Sequence, residues 1–374
     1  MNPSSHIYIH VPFCMAKCSY CNFYSLPFSE ALADRYLDAV AKEISSRIGA
    51  GSKPQTVYIG GGTPTSLNAK QIARLFASLL KQIDISETEE FTVEINPGTL
   101  TDEKTDVLME FGVNRLSLGI QSFNDSKLRI LGRIHDGRKA EKSLESLRST
   151  GFSNIGIDLI YGVPGDTMAN WMEDVSRATA LGPQHISAYC LSVEPETRLK
   201  NSIENGDAAL PDENLQKEMY YGAIDFLSSR GYEHYEISNF ALPGCRSKHN
   251  MATWRYEPYI GAGPSAASFD GSSRRRNIAN IDEYVEANGN LFESENLDAV
   301  KKAAEVMMLA LRTQDGISPK DFRSRTGFDI EETFGKKLNS LKERFLIEDV
   351  PGDDAIRIRR KCLFIADEIL IEFF

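Results

Sequence analysis

Short apolar runs alternate with amphipathic stretches along the first 200 residues, and this alternation constrains the fold more than any other feature. The apolar runs are rich in Val, Ile and Tyr, as buried strands are. They span residues 6–11, 56–60, 91–96, 115–120, 155–162 and 185–191. The stretches between them have helical spacing, with Ser29 as a candidate N-cap. They span residues 29–48, 68–83, 101–111, 125–131, 138–150 and 168–181.

Strand and helix in regular alternation predict a parallel sheet, and right-handed crossovers curl such a sheet into a barrel. The sequence therefore predicts an α/β chain built on a partial (β/α)6 barrel of the TIM type. We expect the barrel to span residues 1–240. A connecting segment should span 241–296, and its part over 241–270 is interpreted as a loop and return segment lying on the barrel. Residues 297–374 change to helices and a short hairpin, which predicts a winged-helix-like α+β module.

Composition narrows the class of protein. The chain has 374 residues, 41% of them hydrophobic, and its apolar runs fall short of the roughly 18 residues that a membrane span needs. The start of the chain has neither the basic residues nor the apolar stretch of a signal peptide, so we expect a cytoplasmic protein. A net charge of −11 argues against nucleic acid as a partner. The one basic cluster, Arg274, Arg275 and Arg276, is interpreted as a solvated loop.

Three of the six cysteines lie within eight residues, with the spacing C-x3-C-x2-C at Cys14, Cys18 and Cys21. They directly follow the first predicted strand, at the end of the barrel where active sites of this architecture lie. Thiolates suit zinc or an iron–sulfur cluster. A structural zinc ion normally has four protein ligands, for which His10 is a candidate fourth. A four-iron cluster on three thiolates instead leaves one iron open to another molecule.

The three-cysteine loop resembles that of the radical S-adenosylmethionine (SAM) superfamily. The resemblance implies a [4Fe-4S] cluster whose open iron binds SAM, and an electron that cleaves a carbon–sulfur bond of SAM to give a 5′-deoxyadenosyl radical. It continues through YIHVPFC, KCSYCNFYS, YIGGGTPTSL, EINPG, LSLGIQSF, IDLIYGVPGDT, HISAYCLSVEPET and YEISNFALPG. These stretches are most similar to the coproporphyrinogen III dehydrogenase group and to its HemW-type branch of heme chaperones.

Further site residues follow from the same resemblance, which implies that a set of strand-end residues surrounds SAM. They are Tyr8, Tyr20, Gly61, Gly62, Thr63, Glu94, Gln121, Arg133 and Asp158, with Ser192 and Ala267 at two further positions by spacing. Arg133 suits a carboxylate group of SAM because a guanidinium makes charge-assisted hydrogen bonds. Glycines at 61 and 62 let the backbone approach a ligand closely.

Two features favour the heme chaperone branch over the dehydrogenase. The dehydrogenase carries another cysteine where this chain has Phe23, and it has a long arm where only seven residues precede Tyr8. The stretch HNMATW resembles the H-N-x-x-Y-W motif that accompanies heme in this branch, with Thr253 in place of the tyrosine. It makes His249 the candidate axial ligand. No comparable setting is found for His6, His135, His185 and His234, and the second family histidine corresponds to Ala267.

The resemblance thus implies a chaperone that binds a [4Fe-4S] cluster, SAM and heme and transfers heme to acceptor proteins. It also implies an electron donor such as flavodoxin or ferredoxin, and it leaves a homodimer open. The main alternative is an oxygen-independent coproporphyrinogen III oxidase in porphyrin biosynthesis. A nucleic-acid-modifying radical enzyme and a structural zinc protein are the remaining alternatives.

Overall fold

The computed structural model describes residues 5–374; residues 1–4, where the predicted first domain begins, lie outside the described residues. The strands are β1 (His6–Val11), β2 (Phe13–Cys14), β3 (Leu26–Pro27), β4 (Thr56–Gly61), β5 (Glu90–Ile95), β6 (Arg115–Gln121), β7 (Ile155–Tyr161), β8 (His185–Cys190), β9 (Glu233–His234), β10 (Asn239–Ala241), β11 (Ile260–Ala262), β12 (Ala267–Phe269), β13 (Ser273–Asn277), β14 (Phe292–Asn296), β15 (Ile347–Asp349) and β16 (Ile356–Ile358).

Helices fill the connections between these strands. They are α1 (Glu30–Arg47), α2 (Ala69–Leu80), α3 (Asp102–Glu110), α4 (Asp125–Ile130), α5 (Gly137–Ser149), α6 (Met168–Leu181), α7 (Arg198–Glu204), α8 (Glu213–Ser229), α9 (Lys248–Trp254), α10 (Ile281–Glu286), α11 (Ala299–Leu311), α12 (Pro319–Thr326), α13 (Ile330–Glu343) and α14 (Ala366–Leu370). Short 3-10 turns lie at Pro64–Ser66, Ile85–Glu87, Arg360–Ile365 and Ile371–Phe373.

The main sheet of the described chain has nine strands in the order β11-β1-β4-β5-β6-β7-β8-β10-β9. Strands β1, β4, β5, β6, β7 and β8 pair in parallel in their chain order. A helix follows β4, β5, β6 and β7 before the next strand begins, and α1 links β1 to β4. The predicted partial (β/α)6 fold is therefore confirmed. The strand bounds agree with the sequence because each buried run ends at a strong turn former.

The connecting segment differs from its interpretation as a loop. It contains the helix α9, and its β11 pairs in parallel with β1, Tyr8 opposite Gly261, so it extends one edge of the sheet. Strand β10 pairs antiparallel with β8 at the other edge. Periodicity could not reveal β11, because three residues are too few to show an alternation.

The basic cluster is a strand, β13, and the interpretation as a solvated loop was wrong. Arg274 forms an ion pair with the buried carboxylate of Glu305. The guanidinium of Arg275 lies over the ring of Phe292, 3.6 Å from its centroid. Ser29 does precede α1, but its side chain makes no capping hydrogen bond.

After residue 297 the chain forms α11, α12 and α13, followed by the antiparallel pair β15 and β16. This is the predicted module of helices with a small β-wing. Its buried side chains, among them Met307 and Leu338, belong to the same hydrophobic cluster as barrel residues such as Ile7 and Leu116. The proposed boundaries at 240/241 and 296/297 thus stay predictions. Across residues 5–374, every helix is too short or too polar to cross a bilayer.

Candidate functional site

A cavity of about 450 Å³ opens at the carboxyl ends of the parallel strands and reaches down inside the barrel. Its walls come from strand ends and from the loop after β1. Most of the predicted site residues line it: Cys14, Cys18, Tyr20, Cys21, Gly61, Gly62, Thr63, Glu94, Gln121, Arg133, Asp158 and Ser192. The volume lies in the range of small-molecule sites in proteins. The cavity is therefore the candidate site for a cofactor.

The three clustered thiols are half-buried at the mouth of this cavity. Burial raises the pKa of Cys14 and of Cys21. The Thr63 hydroxyl donates to Cys14 Sγ at 3.7 Å, and Arg133 Nη1 donates to Cys18 Sγ at 3.3 Å. These donors would stabilise thiolates, the form in which cysteine binds metal. The donor set thus fits an iron–sulfur cluster.

A single metal ion fits this loop less well. Among residues 5–374, no group of three or more Cys, His, Asp or Glu side chains could hold one metal ion. His10, the candidate fourth zinc ligand, has both ring nitrogens engaged. Its Nε2 donates to the carbonyl of Tyr24 at 2.9 Å, so its Nδ1 accepts from the Tyr8 hydroxyl at 3.0 Å. Both nitrogens of His10 thus have partners within the protein, which does not support His10 as a fourth ligand beside the three cysteines.

Backbone hydrogen bonds fix the cysteine loop at both ends. The amide of Phe28 donates to the carbonyl of Cys14 at 2.9 Å. Ser19, next to Cys18, donates its amide to Leu131 at 3.0 Å and its hydroxyl to Ile130 at 2.6 Å. The carbonyl of Ser19 accepts from the amide of Leu199 at 2.9 Å. The segments after β6 and β8 therefore hold the loop over the barrel.

Close packing requires glycine at the two positions where β4 ends. Gly61 has a φ of +106°, and a Cβ there would lie 2.5 Å from the ring of His10. A Cβ on Gly62 would lie 2.6 Å from the carbonyl oxygen of Phe13. The strand end can approach the cysteine loop only without side chains at these positions.

Glu94 lies on the wall of the cavity. One carboxylate oxygen accepts from the Tyr58 hydroxyl at 2.7 Å, and the other accepts from the Gly61 amide at 3.0 Å. Burial raises the pKa of Glu94 to about 7, and the nearby Asp158 adds to the shift. Burial also raises the pKa of Asp158, although the Ser187 hydroxyl opposes this shift. These two acids would suit the amino and hydroxyl groups of a ligand.

Arg133 joins the cysteine loop to the strand ends. Its Nη2 donates to the carbonyl of Gly119 at 2.6 Å and to the side-chain oxygen of Asn96. Gln121, at the end of β6, has a φ of +69°, and the pairing of β6 with β7 is irregular between Leu118 and Gln121. The bulge turns the Gln121 side chain into the cavity, where strain of this kind is often functional.

Several residues that line the cavity were not predicted from the sequence. Tyr58, Asn96, Arg115, His185 and Ser187 all line the cavity. Arg115 and His185 begin their strands and lie deep in the barrel, 2% and 1% exposed. Their inward direction follows from strand alternation, which could have identified them once the barrel was accepted. His185, which the sequence did not single out as a ligand, is thus part of the cavity wall.

Three predicted residues do not line the cavity: Tyr8, His249 and Ala267. Tyr8 is one strand away, with its ring centroid 6.1 Å from that of Tyr58. Ala267 lies in β12 against Gly261, behind the edge strand β11. His249 lies in α9, and its neighbour Asn250 does line the cavity. Their assignments remain predictions.

The ring of His249 stacks on Tyr58 with centroids 5.0 Å apart, and its Nδ1 is 2.8 Å from the Thr56 hydroxyl. Burial lowers the pKa of His249 to about 3, so the imidazole is neutral near pH 7. A neutral imidazole is the form that binds iron. The carboxylate of Glu90 accepts from the amides of Lys248 and His249 and fixes the start of α9.

Comparisons with known proteins agree with this geometry. The Radical SAM superfamily matches residues 8–178, and the HemN C-terminal domain matches residues 297–350. The heme chaperone HemW of Lactococcus lactis is 37% identical over 91% of this chain and 90% of its own. The heme chaperone HemW of Bacillus subtilis is 34% identical over 98% of both chains.

Among solved structures, the chain is similar to coproporphyrinogen III oxidase (HemN) from Escherichia coli. The TM-score is 0.85 over 100% of this chain and 91% of that one, at 24% identity. At this identity the likeness establishes the fold and not the activity. On the sequence relatives, the chain belongs to the radical SAM superfamily and, within it, to the HemW family.

Proposed function

We propose that this chain is a heme chaperone that holds a [4Fe-4S] cluster and SAM in the barrel cavity, binds heme, and transfers heme to acceptor proteins. The observation that carries the proposal is the similarity to heme chaperone HemW proteins along nearly the whole chain. The cavity chemistry is consistent with it. The acceptors would be proteins that require heme as a cofactor.

Cys14, Cys18 and Cys21 would hold the cluster, because they are the soft donors at the cavity mouth. Glu94, Gln121, Arg133 and Asp158 would orient SAM beside it. When bound, the cluster and SAM supply one-electron chemistry at a carbon–sulfur bond. The residues of the chain would bind and orient these groups inside the barrel.

His249 is the proposed axial ligand of heme. Support comes from its neutral imidazole and from the engagement of Nδ1 by Thr56, which leaves Nε2 for iron. Tyr58 and the capped start of α9 fix the orientation of the ring.

The oxidase alternative has less support. Its likeness to this chain is one of fold, and Phe23, which stands where the dehydrogenase group has an additional cysteine, is 63% exposed. An electron donor such as flavodoxin or ferredoxin, and a homodimer, remain proposals from the family. We further propose a cytoplasmic location, which the six unpaired cysteines support because thiols persist in reducing compartments.

A heme titration of the anaerobically reconstituted protein tests the proposal. Wild type should develop a Soret band that saturates with heme and should then release heme to apomyoglobin. His249→Ala should lose the spectrum of a histidine-ligated heme, whereas His135→Ala, a change to a buried histidine bonded to the Ile120 carbonyl, should keep it. Turnover of coproporphyrinogen III without saturable heme binding would instead establish the oxidase.

A further inference from the structure

Four side chains form one hydrogen-bonded line at the start of strands β1 and β4. His249 Nδ1 is 2.8 Å from Thr56 Oγ1, and the same oxygen is 2.9 Å from His6 Nδ1. His6 Nε2 is 2.8 Å from a carboxylate oxygen of Glu257. His6 and Thr56 are buried, whereas the Glu257 side chain is 38% exposed. The line therefore runs from the half-buried His249 through two buried side chains to the partly exposed Glu257.

The direction of each hydrogen bond can be worked out from the end of the line. The hydrogen bond from His6 lowers the pKa of Glu257, so this carboxylate accepts and His6 Nε2 donates. The Thr56 hydroxyl has one proton and can donate to only one of the two histidines. If iron is bound at His249 Nε2, the proton of the neutral ring must be on Nδ1, and Thr56 must accept it.

With Thr56 accepting from His249, its own proton goes to His6 Nδ1, and His6 Nε2 donates to Glu257. Each donor in the line then has one acceptor. We propose that Thr56, His6 and Glu257 are positioning residues that hold His249 with its proton on Nδ1 and its Nε2 free for heme iron. This inference rests on the proposed function, since it concerns the ligand of the same heme.

Hydrogen bonding of the distal ring nitrogen is how proteins orient a metal-bound histidine and increase its basicity. Here the acceptor is the neutral hydroxyl of Thr56. The carboxylate of Glu257 lies two side chains further along the hydrogen-bonded line. Thr56 begins β4 and Tyr58 lies two residues later on the same face, so one strand provides both the acceptor for Nδ1 and the ring that stacks on the imidazole.

Thr56→Val removes the hydroxyl with little change in shape, whereas Thr56→Ser keeps the hydroxyl and removes only the methyl group. We expect Thr56→Val to weaken heme binding by roughly 10- to 100-fold and to alter the Soret maximum and the low-spin ferric electron paramagnetic resonance signal. Thr56→Ser should stay close to wild type in all three. The control is Thr105→Val, a buried threonine in α3 whose hydroxyl bonds only to the Thr101 carbonyl.

The outcomes separate this inference from the proposed function. If His249→Ala loses the ligated spectrum while Thr56→Val matches wild type, the positioning role is wrong and the heme ligand stands. If His249→Ala keeps the spectrum, the ligand assignment itself is wrong, and the positioning role fails with it. Should Thr56→Val not fold, Glu257→Ala at the exposed end carries the test: weaker binding supports the inference, and unchanged binding and spectra overturn it.

Discussion

The side-chain amide of Asn96 donates a hydrogen bond to the Thr63 hydroxyl over 2.6 Å. The oxygen of the same amide accepts from Arg133. Thr63 and Arg133 in turn donate to the sulfurs of Cys14 and Cys18. Asn96 thus connects the two groups that contact the thiols, although it contacts no thiol itself.

Asn96→Ala should weaken retention of the cluster. Because both donors to the thiols lose a partner, we expect iron and sulfide to bind roughly tenfold less tightly. Iron and sulfide per protein, measured after anaerobic reconstitution and gel filtration, check this. Asn201→Ala, on the exposed face of α7, should behave as wild type. Full cluster content in Asn96→Ala would contradict the role of this residue.

Ionisation of Glu94 should lower the free energy of unfolding of the cofactor-free protein as the pH rises. Its pKa is raised by burial from the ordinary value to about 7, so the folded state binds the proton more tightly than the unfolded state. The contribution of Glu94 to the free energy of unfolding is thus fully present below about pH 4.5, where the carboxyl is protonated in both states. This contribution is lost as the pH rises towards 7.

Glu94→Gln should remove this dependence and raise the free energy of unfolding at pH 7.5 by up to about 3 kcal/mol. Urea unfolding of both proteins between pH 5 and 8 gives the comparison. Glu145→Gln, an exposed substitution in α5, is the control and should follow wild type. Parallel curves for wild type and Glu94→Gln would show that Glu94 titrates in its ordinary range.

Gly61→Ala should destabilise the protein more than Gly165→Ala. Both residues have a positive φ, +106° and +75°, but only Gly61 has an atom within 4 Å of an added Cβ. Gly165→Ala therefore measures backbone strain alone, about 1–2 kcal/mol. Gly61→Ala adds the contact with His10 at 2.5 Å. Equal losses in urea unfolding would mean that the His10 ring moves aside freely.

Lys127 should be critical for stability because it is buried between two carboxylates. Its Nζ lies 2.8 Å from Asp166 and 3.0 Å from Asp174. Lys127→Met leaves both acids buried without a cation, which should cost about 3–5 kcal/mol. Lys200→Met, in the exposed pair with Glu204, should cost at most about 1 kcal/mol. Thermal and urea unfolding measure both variants.

The six parallel strands could be predicted because each is a buried run between strong turn signals. The cysteine loop could be predicted because its spacing is a chemical signature in a single short stretch. Asn96 could not be singled out in the same way. Its role depends on Thr63 and Arg133, which lie 33 and 37 residues away in opposite directions along the chain.

Strand β11 and the line from Glu257 to His249 were also beyond the sequence. Each depends on contacts between the first strands of the barrel and the distant connecting segment, as between His6 and Glu257. Arg274 and Arg275 were misinterpreted because a run of like charges usually faces solvent. Here Glu305 and the ring of Phe292 provide partners from other elements.

Tyr58 has its ring against His249 and its hydroxyl on Glu94, so one side chain borders both proposed cofactor sites. A ligand that draws Glu94 away from this hydroxyl changes the surroundings of the imidazole at the same time. If SAM and heme bind at these two proposed sites, thermodynamic reciprocity requires that each change the affinity for the other by the same factor. Heme binding at His249 and SAM binding in the barrel cavity would then be one coupled equilibrium.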